Sequence, residues 1–238
     1  METHALVTGG AQGIGLAVAE TLAAAGWNVT AGDVDAAALD RLADLRPAIT
    51  GAMLDVTSPE AVHTLIAELP PLDVVVNCAG IAAELLPLRQ ISRPDFERML
   101  RVNVAGTIRV AREAARRMTG GGAIINIASR GYLGGAGAAH YVASKAAVVG
   151  FTRALAVELR WRGISVNAVA PGMVETRMIA DFTSDMRAKL TRLEPSGRPM
   201  SPSVIAGAVA FLASPSGRHL AGQVLLVDGG KSLGIAPC

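Results

Sequence analysis

The chain has 238 residues, 51% of them apolar and only 3% aromatic, with a formal charge of +2. That length suits one large domain with a sizeable core built from Ala, Val, Leu and Ile. The near-neutral charge, with Arg116-Arg117 and Arg160/Arg162 as short clusters at predicted helix ends, points away from nucleic acid as a partner.

Other classes fall away as readily. Cys78 sits in an apolar strand-like run and Cys238 is the last residue, so neither a disulfide framework nor a metal site is expected. The opening METHALVTGG has no basic segment followed by an apolar one. The longest uncharged run, 199–217, holds three prolines, and its apolar middle, 204–213, is too short to cross a bilayer. The expectation is a cytoplasmic protein with no membrane partner.

In chain order, short Val- and Ile-rich runs alternate with longer helical patterns. HALVTG predicts a first strand and residues 13–25 a first helix. NVTAGD, ITGAMLD and LDVVVNCAG follow as strands, separated by helices over 35–45 and 59–69. Ser58-Pro59-Glu60 marks the start of the latter. A helix over 94–118 leads to the strand GAIINIAS, and one over 139–161 to ISVNAVAPG. Ser201-Pro202 opens a last helix over 201–213, before the strand QVLLVDGG. Strand–helix alternation with near-continuous apolar strands predicts a seven-stranded parallel, doubly wound α/β sheet with helices on both faces. No linker or repeat interrupts it, so residues 1–238 are read as one domain. The 94–118 and 139–161 patterns are apolar on more than one face, which predicts a homo-oligomer, a tetramer or dimer.

The turn from first strand to first helix carries Gly9, Gly13 and Gly15. Glycine permits positive φ there and lets a ligand approach the backbone. The helix N-terminus behind it offers N–H groups and a positive dipole end to a pyrophosphate. Asp33 closes the second strand, 18 residues after Gly15. A carboxylate there can bind the adenosine ribose hydroxyls and repels a 2′-phosphate. Neither Gln12 nor Val34 supplies a cation to neutralise such a phosphate, so NAD is expected ahead of NADP. Asp35 competes only as a helix N-cap. Tyr141 stands four residues before Lys145, on one helix face. A phenol titrates near 10 in water, and a neighbouring cation favours its ionised form, as a general base requires.

Taken in order, these motifs resemble the short-chain dehydrogenase/reductase family in its compact form, and the resemblance spans essentially the whole chain. It rests on Thr8-Gly9-x-x-x-Gly13-x-Gly15, Asn77-Cys78-Ala79-Gly80, Asn103, Ser129, Tyr141-x-x-x-Lys145, Pro171-Gly172 with Thr176, and GQVLLVDGG. It implies a Rossmann fold and a catalytic set of Asn103, Ser129, Tyr141 and Lys145. Tyr141 would exchange a proton with the alcohol oxygen, and Ser129 would hydrogen-bond that oxygen. Lys145 would also hold the nicotinamide ribose, and Asn103 would hold a relay water. The implied cofactor contacts are Gly9, Gln12, Gly13, Ile14, Gly15, Asp33, Asp55, Val56, Asn77, Ala79, Gly80, Tyr141, Lys145, Pro171, Gly172 and Thr176.

Two departures stand out. Ser129 and Tyr141 are 12 positions apart, one fewer than the family's usual gap, and Cys78 replaces an Asn. Substrate contacts are expected from residues 82–86, 130–133, His140 and 173–200; in the last, Met173, Met178, Ile179, Phe182 and Met186 read equally as a flexible apolar lid or as ordinary helix packing. Arg130 is read as facing solvent, with an anionic or hydroxyl-rich substrate as the alternative. The expected reaction is NAD-dependent interconversion of a secondary alcohol (a polyol, sugar alcohol or cyclic alcohol) and its ketone. The alternatives are an NADPH-dependent 3-oxoacyl carrier-protein reductase and a non-catalytic dinucleotide sensor.

Overall fold

A computed structural model of the chain describes residues 3–46, 48–82, 85–180 and 182–234, with backbone alone at Leu45, Met178 and Ala180. The expectations placed on Cys238, on part of 82–86 and on the Met178 side chain lie outside what is described.

All seven predicted strands form: β1 (His4–Thr8), β2 (Asn28–Asp33), β3 (Ile49–Met53), β4 (Val74–Asn77), β5 (Gly122–Ile127), β6 (Ile164–Pro171) and β7 (Val224–Val227). They make one sheet in the order β3-β2-β1-β4-β5-β6-β7, with every pairing parallel. Side chains alternate across it, as the strand period of two requires. Ala5, Val7, Val74, Val76 and Ile125 face one layer, with α1 (Gly13–Ala24), α2 (Ala36–Leu45) and α9 (Pro202–Ala213). Leu6, Val75, Ile124 and Val166 face the other, with α3 (Pro59–Glu68), α5 (Thr107–Arg117) and α6 (Ala139–Leu159). Both faces are covered, which explains the near-continuous apolar runs.

Predicted caps carry the helix starts. The Asp35 carboxylate accepts from Ala38 N at 3.0 Å and Ser58 Oγ from Ala61 N at 3.1 Å, while Ser201 Oγ accepts from Ser203 N at 3.3 Å. The helix expected over 94–118 is not uniform. It runs as α4 (Arg93–Leu100), a wider π-wound turn over Arg101–Gly106, and α5. Contacts made only in the folded chain widen that turn. Gly106 lies so close to Val56 that a Cβ there would sit 2.7 Å from Val56 Cγ2, and the Asn103 amide reaches Met99 Sδ at 3.0 Å. The 173–200 segment also departs from a plain flexible lid. It contains α7 (Arg177–Ala180) and α8 (Ser184–Thr191), and its two ends pair through Val174 and Met200.

The strand order reverses between β1 and β4, and there the loops at the carboxyl ends of the strands diverge to leave a crevice. The site is built around it.

Candidate active site

The β1 and β4 ends are locked together at the crevice floor. Thr8 Oγ1 accepts from both Cys78 N and Ala79 N at 3.1 Å, and a Cβ on Gly9 would lie 2.9 Å from Ala79 Cα. Gly9 and Gly13 have φ of +63° and +55°, conformations that glycine tolerates. Gly15 serves packing instead: it lies inside α1, where a Cβ would overlap Gly9 O. Gln12, the N-cap of α1, makes no side-chain cap bond, and the first turn holds no acid, so the helix start faces the crevice with its N–H groups open. Beside it Asp33 is buried at the end of β2. Its carboxylate accepts from Ala11 N at 3.2 Å and Asp35 N at 3.1 Å, which fixes it against the glycine loop.

A second group gathers at the ends of β4 and β5. Lys145 is buried in α6 and donates from Nζ to Ile127 O at 2.9 Å, with its ammonium 5.8 Å from the Tyr141 ring centroid. Burial lowers that ammonium from 10.5 to about 8. Burial also pushes the Tyr141 phenol above its ordinary value, and the Ser129–Tyr141 side-chain hydrogen bond pulls it part of the way back. The shortened loop therefore still brings Ser129 to Tyr141. A tight turn over Arg130–Leu133 takes up the missing residue, with Gly131 N donating to Ser129 Oγ at 3.0 Å. Gly131 lies against the phenol ring, where a Cβ would stand 3.5 Å from Tyr141 Cε1.

Asn103 sits in the π-wound turn, and its side chain is engaged by protein. Its Oδ1 accepts from Ile81 N at 2.8 Å, and Nδ2 donates to Ile81 O at 3.0 Å and to Ser144 Oγ at 3.1 Å. Ser144 Oγ in turn donates to Tyr141 O at 2.8 Å. The side chain thus braces the β4 loop against the tyrosine's turn of helix. Gly80 completes the convergence, since a Cβ there would lie 3.1 Å from Asn103 Oδ1 and 3.6 Å from Lys145 Nζ.

The other expected contacts divide. Pro171 ends β6, and Gly172 packs on Asp228. Thr176 lies over the glycine loop, its Cγ2 3.3 Å from where a Gly13 Cβ would be. Ile14 and Ala79 pack on the two core layers. Asn77 is turned into the sheet, where Nδ2 donates to Asn126 Oδ1 at 2.8 Å, so it supports the floor and does not line it. Asp55 is exposed and accepts from Thr57 N at 2.8 Å; Val56 is buried against Gly106. His140 is buried with no partner on Nδ1. Arg130 does not simply face solvent: it is half-buried beside Asp228, whose carboxyl burial pushes up but hydrogen bonds from Ser232 and Gly230, and lastly the Arg130 charge, hold below the usual carboxylate range. Arg177 is a residue that motif reading misses. Its Nη1 lies 3.3 Å from Asp35 Oδ2, across 142 positions of sequence.

The crevice fits a nicotinamide dinucleotide. A glycine cradle and an open helix start suit a pyrophosphate, a fixed carboxylate suits a ribose diol, and a buried lysine beside a half-buried tyrosine suits proton exchange with an alcohol. Such a fold and site define a dinucleotide-dependent oxidoreductase. A family model described as Enoyl-(Acyl carrier protein) reductase matches residues 9–232. A cis-4-hydroxycyclohexanecarboxylate dehydrogenase of Sinomonas cyclohexanicum is 40% identical, over 96% of each chain. A 3-oxoacyl-(acyl-carrier-protein) reductase of Escherichia coli strain K12 is 38% identical, over 95% of this chain and 96% of that one. Among solved structures, gox2181 superposes with a TM-score of 0.93 at 31% identity, over 98% of this chain and 96% of that one. ElxO with NADP bound gives 0.89 at 31%, over 97% and 99%. The chain belongs to the short-chain dehydrogenase/reductase family. It is an oxidoreductase that uses a nicotinamide dinucleotide and acts on CH–OH or ketone groups. Among the described residues no helix is long and apolar enough to cross a membrane, and no group of side chains could hold a metal ion.

Proposed function

We propose that the chain, acting as a single domain, is an NAD-dependent dehydrogenase of a cyclic or polyhydroxylated secondary alcohol. The observation that carries the cofactor reading is Asp33. It is buried, pinned by two backbone N–H groups, and set where the adenosine ribose would lie. A fixed carboxylate binds a ribose diol through both oxygens and repels a 2′-phosphate. The cyclic-alcohol reading is supported by the relative that acts on a hydroxycyclohexanecarboxylate. The 38% identical 3-oxoacyl reductase and the NADP-bound structural neighbour favour a second reading, an NADPH-dependent ketoreductase.

In this proposal the substrate hydroxyl sits between Ser129 and Tyr141. Ser129 Oγ hydrogen-bonds the reacting oxygen, and Tyr141, ionised, takes its proton. Lys145 lowers the energy of the phenolate from beneath the ring and binds the ribose next to the nicotinamide. A nicotinamide dinucleotide bound here would supply the hydride chemistry at the carbinol carbon, in either direction. Asn103 acts as a positioning residue, through Ser144, on the carbonyl of Tyr141. Gly9, Gln12, Gly13 and Ile14 cradle the pyrophosphate, with Gly15 holding the turn. Gly80, Pro171, Gly172 and Thr176 border the nicotinamide end.

The test is initial-rate oxidation of a panel of cyclic alcohols, polyols and hydroxy acids with NAD and NADP in parallel. Faster turnover with NAD, greatest on ring alcohols, is expected. Faster turnover with NADP, or NADPH-dependent reduction of 3-oxoacyl thioesters alone, would overturn the reading in favour of the second.

A further inference from the structure

The segment that builds the dinucleotide cradle carries no positive side chain: residues 1–40 contain neither Lys nor Arg. Asp33 and Asp35 stand at the adenosine end of the same cradle. A pyrophosphate entering it meets helix N–H groups and two carboxylates, while the buried ammonium of Lys145 is tied to Ile127 O at the other end. The cation that does reach the cradle comes from the far side of the chain. Thr176 is seated on Gly13, so the next residue, Arg177, begins directly above the pyrophosphate loop. Its guanidinium bridges the crevice mouth to Asp35 Oδ2 at 3.3 Å.

We propose that Arg177 is a phosphate clamp, and that the pyrophosphate of the bound dinucleotide replaces Asp35 as its partner. The inference rests on the reading that this site binds a nicotinamide dinucleotide. Three observations make the exchange favourable. The Arg177–Asp35 pair is exposed, with 69% of the arginine side chain open to solvent, and such pairs hold weakly. Asp35 loses little by release, because its other oxygen caps α2 through Ala38 N at 3.0 Å. A pyrophosphate also offers two charges and several acceptors to a planar donor fork, where Asp35 offers a single oxygen.

Binding is measured directly, by NADH fluorescence titration and by calorimetry with ADP-ribose, which shares the pyrophosphate and lacks the nicotinamide. Arg177→Ala should weaken NADH and ADP-ribose alike, by about tenfold, the range expected for a hydrogen-bonded charge pair. Asp35→Asn keeps the cap and removes the competing charge, so it should tighten both ligands by a few-fold. Arg177 is exposed, so the variants are expected to melt with the wild type, which checks their folding. Unchanged affinities in Arg177→Ala would overturn the proposal. So would a loss confined to NADPH, which would put Arg177 on a 2′-phosphate, or a loss in Asp35→Asn equal to that in Arg177→Ala. Wild-type protein that binds NADH but shows none of these shifts overturns the clamp alone. Wild-type protein that binds neither NADH nor NADPH overturns the dinucleotide reading and the clamp with it.

Discussion

Lys145, buried, and Tyr141, half-buried, have protonation energies that oppose the states catalysis needs. Burial holds the lysine near 8 and the phenol above its ordinary value. Replacing Tyr141 by Phe removes the proton acceptor, so kcat should fall by about 10²–10⁴-fold while NADH binding stays within a few-fold. Retained turnover would move the acid/base role elsewhere. For Lys145 the linkage sign is explicit. Its folded value lies below its unfolded value of 10.5, so the unfolded chain binds the extra proton between about pH 8 and 10.5. Burying Lys145 therefore costs stability below pH 8, and the cost fades as pH rises to 10.5. Lys145→Met should be more stable than wild type at pH 7, by an amount on the order of 3 kcal/mol, and the gap should close in alkali. Denaturant unfolding at pH 7 and pH 10 reads this, and a gap independent of pH counts against it. The same variant should move the rising limb of the alcohol-oxidation pH profile to higher pH, because the cation that favours the phenolate is gone.

At the level of elements, Gly106 and Asn103 show where a one-dimensional pattern stops. The 94–118 segment has helical periodicity and no internal proline, so it reads as one helix. The π-wound turn exists because Gly106 fits against Val56, 50 positions away (106 − 56), and Asn103 reaches Ile81 and Ser144, 22 and 41 positions away. Gly106→Ala puts a methyl 2.7 Å from Val56 Cγ2. It should cost about 1–3 kcal/mol and displace Asn103, lowering kcat as well as Tm. A variant with a lower Tm and full kcat would separate the turn from the site.

The strands were legible because a sheet covered on both faces writes its boundaries in Val, Ile, Gly and Asp. The glycine loop, Asp33 and the Tyr141–Lys145 pair were legible because each is a local spacing. Arg177 was not, since only the return of the chain over the crevice brings it to Asp35. Neither was the structural use of Asn77, whose partner Asn126 lies on the neighbouring strand.

For the whole molecule, apolar side chains left on the surface carry the expectation of self-association. Val204 and Phe211 on α9 are each 49% exposed, and Leu225 and Leu226 are part-exposed on the edge strand β7. The two elements that carry them, α9 and β7, are packed against each other. Placing a charge there, as Phe211→Glu, should lower the mass measured by light scattering from that of an oligomer toward the monomer. An unchanged mass would assign self-association to Val157 on the outward face of α6 and to Trp161 in the turn that follows it.

The pairing that closes the 173–200 segment at its base has a further consequence. Met200 N donates to Met173 O at 2.9 Å and Glu175 N to Met200 O at 2.8 Å, so the chain leaves and re-enters the body at one neck. Arg187 and Lys189 lie on α8 beyond that neck, with side chains 42% and 69% exposed. Trypsin should therefore nick the loop before it attacks the sheet. The two pieces should remain one particle, because β7 stays paired to β6 and α9 stays packed on α1. Severed yet undissolved, the protein would behave as two chains that were never separate, and coexpressing the halves cut at this loop should reconstitute it.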